Sequence, residues 1–457
     1  MKIKITFLFS FFLFISYAQK EDSLTLRKLY DYYLTKSKCY SNLEYLTQRI
    51  GGRLSGSAQA EQAVYWAKKA LYEAGADTVI LQPCMVPHWV RGGQELCRVN
   101  TKTATRVVDL KCVALGSSVG TGTNGLTAKV IEVSSFEELE RLGEKNVKGK
   151  IVFYNVFFDQ TKINPGHAYR DVGKYRVLGA SQAARYGAVA MLVRSLASVA
   201  DDEPHTGNMH YDTTISKTKI PALALSYVAA SKLSQTLKRD KDLSMYLETH
   251  CETLPDVLSY NVVGQLTGSE QPNEYLIAGG HLDSWDNGQG AHDDGAGIVQ
   301  SIEVLAAFKH LGIKPKHSIR AVAFMNEENG LMGGAAYARF AKDHAEKHLA
   351  ALETDAGGFV PRNIGVDTTQ GLYNTVVQWK ALFQPYLLDN INKGGGGADL
   401  RDLQKNGVPC IGFDPDAQRY FDIHHTAADT FDKVNKRELE LGAGAIGSLL
   451  YLLDKYK

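Results

Sequence analysis

Glu274-Tyr275-Leu276-Ile277-Ala278-Gly279-Gly280-His281-Leu282-Asp283 is the stretch on which the fold turns. It starts as an apolar run of strand length and ends on an imidazole and a carboxylate. The same form recurs downstream. His317–Phe324 reads as a strand running into Met325-Asn326-Glu327-Glu328. Residues 350–353 read as another, running into Thr354-Asp355-Ala356-Gly357-Gly358, and 408–413 as a third. Helical patterns over 297–309 and 331–348 lie between them. Apolar strands alternating with helices predict an α/β domain, a mostly parallel sheet wrapped by helices. In such sheets reactive residues gather just beyond the carboxyl ends of the strands.

Outward from that core, the chain divides into three regions. Residues 19–115 open with helical pattern, then the polar loop Gly51-Gly52-Arg53-Leu54-Ser55-Gly56-Ser57 leads into a helix over Ala58–Glu73, with Ser55 or Ser57 as its cap. Short strands follow near 78–81 and 94–100. Residues 116–255 read as smaller α/β units, with strands at 128–133, 151–155, 188–193 and 220–225, an insertion placed to shape or cover a site. Residues 256–457 carry the alternating pattern described above.

The first 18 residues read as a secretory signal. Lys2 and Lys4 precede an apolar run from Ile5 to Tyr17, and Ser16-Tyr17-Ala18 offers small residues for cleavage after Ala18. The run is shorter than the roughly 20 apolar residues that span a bilayer, so no membrane span is expected after cleavage. Losing two lysines takes the net charge from +1 to −1. A secreted or periplasmic protein is expected. The 51 basic and 50 acidic residues nearly cancel, which argues against a nucleic-acid binder. An aromatic content of 10% is too rich for a disordered chain. Six cysteines in an exported protein permit disulfides but form no C-x-x-C pair, so a thiolate zinc site is not expected.

The chemistry concentrates at the strand ends. His281 and Asp283 are joined by His292-Asp293-Asp294-Gly295-Ala296-Gly297 at a helix start, by Asn326-Glu327-Glu328, by Asp355, and by His424-His425-Thr426-Ala427-Ala428-Asp429-Thr430 late in the chain. Each alone is commonplace: a strand-end histidine is usually structural and paired glutamates are usually solvated. Together they crowd carboxylates at one opening, which costs several kcal/mol in repulsion and desolvation unless cations are present. Nitrogen and oxygen donors without sulfur suit zinc, with manganese or cobalt as alternatives.

These motifs, with Asn326-Glu327-Glu328-Asn329-Gly330 and Arg53-Leu54-Ser55-Gly56-Ser57, resemble metallopeptidase family 28, the co-catalytic zinc exopeptidases. Val147-Lys148-Gly149-Lys150-Ile151-Val152 makes the middle region resemble the protease-associated insert found there. The resemblance implies a zinc-exopeptidase sheet holding two Zn2+ ions. It implies His281 on one metal and His425 on the other, Asp293 bridging, and Glu328 and Asp355 each on one ion. Glu327 would be the general base and Asp283 would orient His281, while Asp294, His292 and His424 would be supporting. It further implies a dipeptide or short-peptide substrate and a possible homodimer. Carboxypeptidase or dipeptidase activity is the leading expectation, aminopeptidase activity the alternative. Glutaminyl cyclase or a metal-free binding protein fits the complete ligand set less well.

An exopeptidase must read a free terminus, which needs a charged partner near the metals. Lys393-Gly394-Gly395-Gly396-Gly397-Ala398-Asp399 is the candidate segment, with Gly396 and Gly397 letting backbone approach a ligand and Asp399 holding a free amine. Tyr420, with His205 and Tyr211, is a candidate for the cleft wall.

Overall fold

The computed structural model describes residues 20–100, 108–388 and 390–457. The expected signal segment, 1–18, lies outside the described residues. In chain order the strands are β1 Thr78–Val90, β2 Leu96–Asn100, β3 Val108–Leu110, β4 Cys112–Ala114, β5 Leu126–Val133 and β6 Ile151–Tyr154. There follow β7 Ala190–Arg194, β8 Ala222–Leu225, β9 Ser244–Glu248, β10 Glu252–Leu266, β11 Gln271–His281 and β12 His317–Phe324. Last come β13 Lys347–Glu353, β14 Pro361–Val366, β15 Asn390–Lys393 and β16 Cys410–Pro415.

They form two eight-stranded sheets. The first runs β1-β10-β12-β11-β13-β16-β14-β15 and the second β3-β2-β9-β5-β6-β7-β8-β4. The first sheet is mixed rather than mostly parallel. Its centre, β12-β11-β13-β16, is parallel, as the buried apolar runs require. Antiparallel pairing enters through β1–β10, β10–β12 and β14–β16. The second sheet is inserted between β1 and β10, which are themselves paired over their length. Its strands begin at Leu96, upstream of residue 116 where the sequence places the insertion.

The main core lies between the first sheet and the helices Ala296–Leu311 and Lys436–Tyr456. Every residue of β12 is buried, and so is nearly all of Ala296–Leu311, so that helix is apolar on all sides rather than striped. Ser57 caps Ala58–Glu73 by accepting from the Ala60 N–H, an interaction worth about 1 kcal/mol. All six cysteines are unbonded thiols. Among the described residues no helix is long and apolar enough to cross a membrane.

Candidate metal centre

Three central strands deliver the first donors side by side. In the parallel register His281 of β11 sits opposite Phe324 of β12, and Gly279 opposite Glu353 of β13. The residues just past those ends, Glu327, Glu328 and Asp355, therefore fall beside His281. Asp293 comes from the loop that enters the helix Ala296–Leu311, and His425 from the loop after the short helix Tyr420–Ile423. Several of these turns are held in conformations unusual for side-chain-bearing residues: Asn326 has φ 73°, Leu331 φ 60° and His425 φ 63°. Such strain persists where surrounding contacts fix it, and it clusters at functional sites.

Asp293 is the hub. Its Oδ1 lies 3.1 Å from His281 Nε2, which is 3.4 Å from Asp355 Oδ1. Its Oδ2 lies 3.3 Å from His425 Nε2, which is 3.2 Å from Glu328 Oε2. The structure thus brings together all five residues expected as ligands, as two donor sets sharing one carboxylate. Glu327 lines the same cavity, of about 490 Å3, with Asp293, Glu328, Asp355 and His425. His424 is also drawn in: its ring stacks on His425 at 3.5 Å and its Nε2 is 3.7 Å from Asp293 Oδ2. Reading it as supporting alone missed that proximity.

The electrostatics are those of coupled imidazoles and carboxylates. Burial opposes protonating His281, yet Asp355 and Asp293 carry it well above its ordinary value; Glu328 and Asp293 do the same for His425. Asp293 is held well below the carboxylate range by those two imidazoles, against the effect of burial. Burial and neighbouring carboxylates push Glu328 up to about 7 and Glu327 well above its usual value.

The supporting shell departs from expectation in one respect. Asp283 does hold His281, but through its main-chain carbonyl, 3.0 Å from Nδ1, while its carboxylate stands 3.9 Å away. That carboxylate instead accepts the N–H groups of Asn326, Glu327 and Glu328 at 2.7, 3.0 and 3.3 Å, fixing the turn that carries the expected base. Asp294 accepts from the N–H groups of His281 and Gly297, both at 3.0 Å. Any side chain at Gly280 would collide with its carboxylate. Asp429 accepts from the His292 and Asp293 N–H groups, and burial raises it to about 7. Arg53 is fully buried and donates to the carbonyls of Leu282, Gln289 and Gly290, tying two ligand loops together.

The expected substrate residues separate. Tyr420 lines the metal-side cavity, its hydroxyl 3.5 Å from Asp355 Oδ1, and also borders a second cavity that Gly396 and Gly397 line. Asp399 is 1% exposed, lines neither cavity, and its carboxylate oxygens meet no hydrogen-bond donor, so it is not placed to hold a free amine. His205 is likewise sealed, and Tyr211 is occupied with Ile220 and Val119 inside the insert.

Sequence reasoning also missed Arg176. It lies on the insert's helix Pro165–Arg185 and lines the metal-side cavity. Its Nη1 is 3.5 Å from both His425 Nδ1 and the Thr206 carbonyl, its Nε has no partner, and its guanidinium sits over Tyr169. Among the described residues it has no carboxylate in ion-pair range. Nothing in its local sequence marks it, because the contact joins two sheets.

Known proteins resemble this chain in sequence and fold. Residues 261–447, which hold all five clustered donors, match the profile of Peptidase family M28. Carboxypeptidase Q of Mus musculus is 34% identical over 421 residues, covering 92% of this chain and 86% of that protein; the Homo sapiens form is 33% identical with 92% and 85% covered. A solved peptidase M28 precursor from Shewanella amazonensis superposes with a TM-score of 0.89 at 32% identity, covering 95% of this chain and 97% of the other. A zinc aminopeptidase from Bacillus subtilis, at 20% identity and TM-score 0.66, shares the fold. With relatives this similar matched along nearly its whole length, the chain belongs to peptidase family M28 and is a metallopeptidase.

Proposed function

We propose that this protein is an exported exopeptidase that binds two zinc ions and hydrolyses dipeptides or short peptides from the carboxyl end. The observation that carries the reading is Asp293, whose two oxygens face two separate donor pairs. The donors fit the metal. His281, Asp293 and Asp355 offer donor atoms within 4.8 Å of one another, as do Asp293, His424 and His425. The histidine–carboxylate pairs, Glu328 with His425 included, stand 3.1–3.4 Å apart, close to the roughly 3.3 Å edge of a tetrahedron with bonds of about 2.0–2.1 Å. Asp293 Oδ2 is buried without a hydrogen bond, as an atom reserved for a cation would be. His281 and Asp355 would hold one ion, His425 and Glu328 the other, with Asp293 between them. Manganese or cobalt could replace zinc on the same donors.

Bound there, the ions would supply Lewis acidity for the scissile carbonyl and a lowered pKa for water. The chain's own residues do the rest. Glu327, open to the cavity, takes the water's proton and passes it to the leaving amine. Asp283 keeps Glu327 in register through three main-chain hydrogen bonds. Arg176, without a carboxylate in ion-pair range among the described residues, supports reading the substrate's free carboxylate, since a buried guanidinium is favourable only when paired. Asp399, sealed from both cavities, offers no amine partner there. The inserted sheet is read as a protease-associated domain, and the first 18 residues as the export signal.

The test is hydrolysis of matched peptides blocked at one terminus or the other, with and without chelator. Acetylated peptides should be cut and amidated ones spared, with activity lost to chelator and restored by zinc. Cleavage of amidated peptides alone would make it an aminopeptidase. A purified protein that takes up no metal would end the peptidase reading.

A further inference from the structure

A sheet face inside a domain is normally covered by apolar packing. One face of the β14–β15–β16 segment is not. Along these strands the alternation is strict. Ile364, Val366, Ile391, Ile411 and Phe413 point into the main core. The residues between them line a cavity of about 1120 Å3 on the other side: Asn363 and Gly365 of β14, Asn390 and Asn392 of β15, Gly412 and Asp414 of β16. The register sets them in two rows, Asn390–Asn363–Asp414 and Asn392–Gly365–Gly412. The polar side chains are ordered by one another: Asn363 Nδ2 donates to Asp414 at 2.8 Å, and Asn392 Nδ2 to Asn363 at 2.7 Å. The first row offers amide and carboxylate groups and the second is cut down to backbone. The glycine run 394–397 forms one wall, and the insert's Arg170 and Tyr169 stand across from it.

This cavity meets the metal-side cavity at Tyr169, Asp355, Tyr420 and Phe421, which border both. Its volume exceeds the roughly 300–1,000 Å3 of a typical small-molecule site. A dipeptide held at the metals would leave it unused.

We propose that this polar sheet face is a binding groove for the part of a peptide substrate upstream of the scissile bond, so that the preferred substrates are oligopeptides rather than dipeptides. The inference rests on the exopeptidase reading. With the terminal carboxylate at Arg176 in one cavity, the preceding residues pass Asp355 and Tyr420 into the other. The groove's amide-rich floor pairs with peptide N–H and C=O groups, and its glycine row lets an extended main chain settle close, which reads length and not side-chain identity.

The experiment is a series of N-acetylated peptides of two to five residues that share their last two residues, assayed with the zinc-loaded enzyme. kcat/KM should rise about tenfold or more from shortest to longest, mainly through KM. Asn392→Trp, an exposed position on the edge strand, should flatten that rise by filling the groove, and Asn390→Trp serves if the first variant does not fold. A flat length dependence in the unmodified enzyme, or a full rise retained in a folded tryptophan variant, overturns the groove while leaving the exopeptidase reading intact. Failure to cut any peptide at any length overturns that reading, and the groove's role with it.

Discussion

Two polar networks are buried in the first sheet, and they are built on opposite plans. Near the amino end of β12, Arg320 donates from Nη1 and Nη2 to Glu346 at 2.7 and 2.8 Å, from Nη1 to Tyr337 and from Nε to Gln265. Its guanidinium also lies 3.7 Å from the centre of the Tyr275 ring. The charge is answered on every side, and only His348 Nδ1 nearby lacks a partner. At the carboxyl end of the same strands the polar atoms do not all pair with one another. Among the described residues Asp293 Oδ2, both oxygens of Asp399, Trp285 Nε1 and His292 Nε2 have no hydrogen bond. A network that serves stability closes on itself. One that serves chemistry keeps some donor atoms free of protein partners, at a cost the rest of the fold must carry.

The sharpest way to break this contrast is Glu327→Gln. It should lower kcat by about a thousandfold, with both metals still bound and thermal stability unchanged or higher, measured by metal analysis and calorimetry. Near-normal turnover would remove Glu327 from the chemistry. Arg320→Met should do the reverse, costing about 3–5 kcal/mol because it strands the Glu346 carboxylate, while turnover per folded molecule holds; denaturant unfolding reads it.

Acid should separate the networks further. Burial, helped by Arg320, pushes His348 down to about 4. Between that value and the ordinary 6.5 the unfolded chain binds the extra proton, so stability is present above this window and lost as pH falls through it. The loss is about 3 kcal/mol by pH 4. A His348→Phe variant should lose less than the parent over that range, and an identical pH profile would contradict the assignment. Smallest per group is metal removal: chelation should cost roughly 2.7 kcal/mol for each site normally filled at a hundred times its dissociation constant, seen as a lower melting temperature that zinc restores. Under the same treatment the Arg320→Met increment should stay the same.

Much of this was legible in the sequence, for physical reasons that also mark the limit. The helix at Ala58–Glu73 and the strand His317–Phe324 are read at their observed bounds because periodicity and caps are local signals. β1 is read far too short, since Pro83 and Pro87 look like strand breakers; β1 is an edge strand, where a missing N–H is tolerated. Of the five clustered donors, His281, Glu328 and Asp355 are readable because each sits where a strand runs out, whereas Asp293 precedes a helix and His425 follows a short one. Arg176 is not readable, since its meaning depends on a neighbour 249 positions away in the chain. Asp399 fails for the converse reason: a carboxylate after four glycines looks exposed, and only the packing shows it buried.

The insertion point of the second sheet has a consequence of its own. The chain departs after β1 and returns as β10, two strands already laced together, so the added lobe can be exchanged without disturbing the sheet that holds the donors. Yet that lobe presses Gly116 against Trp285 and brings Arg176 to His425. Grafting a different lobe onto this scaffold would leave the strands that carry the donors in place and change the wall that faces them, making the fold a chassis for recombination.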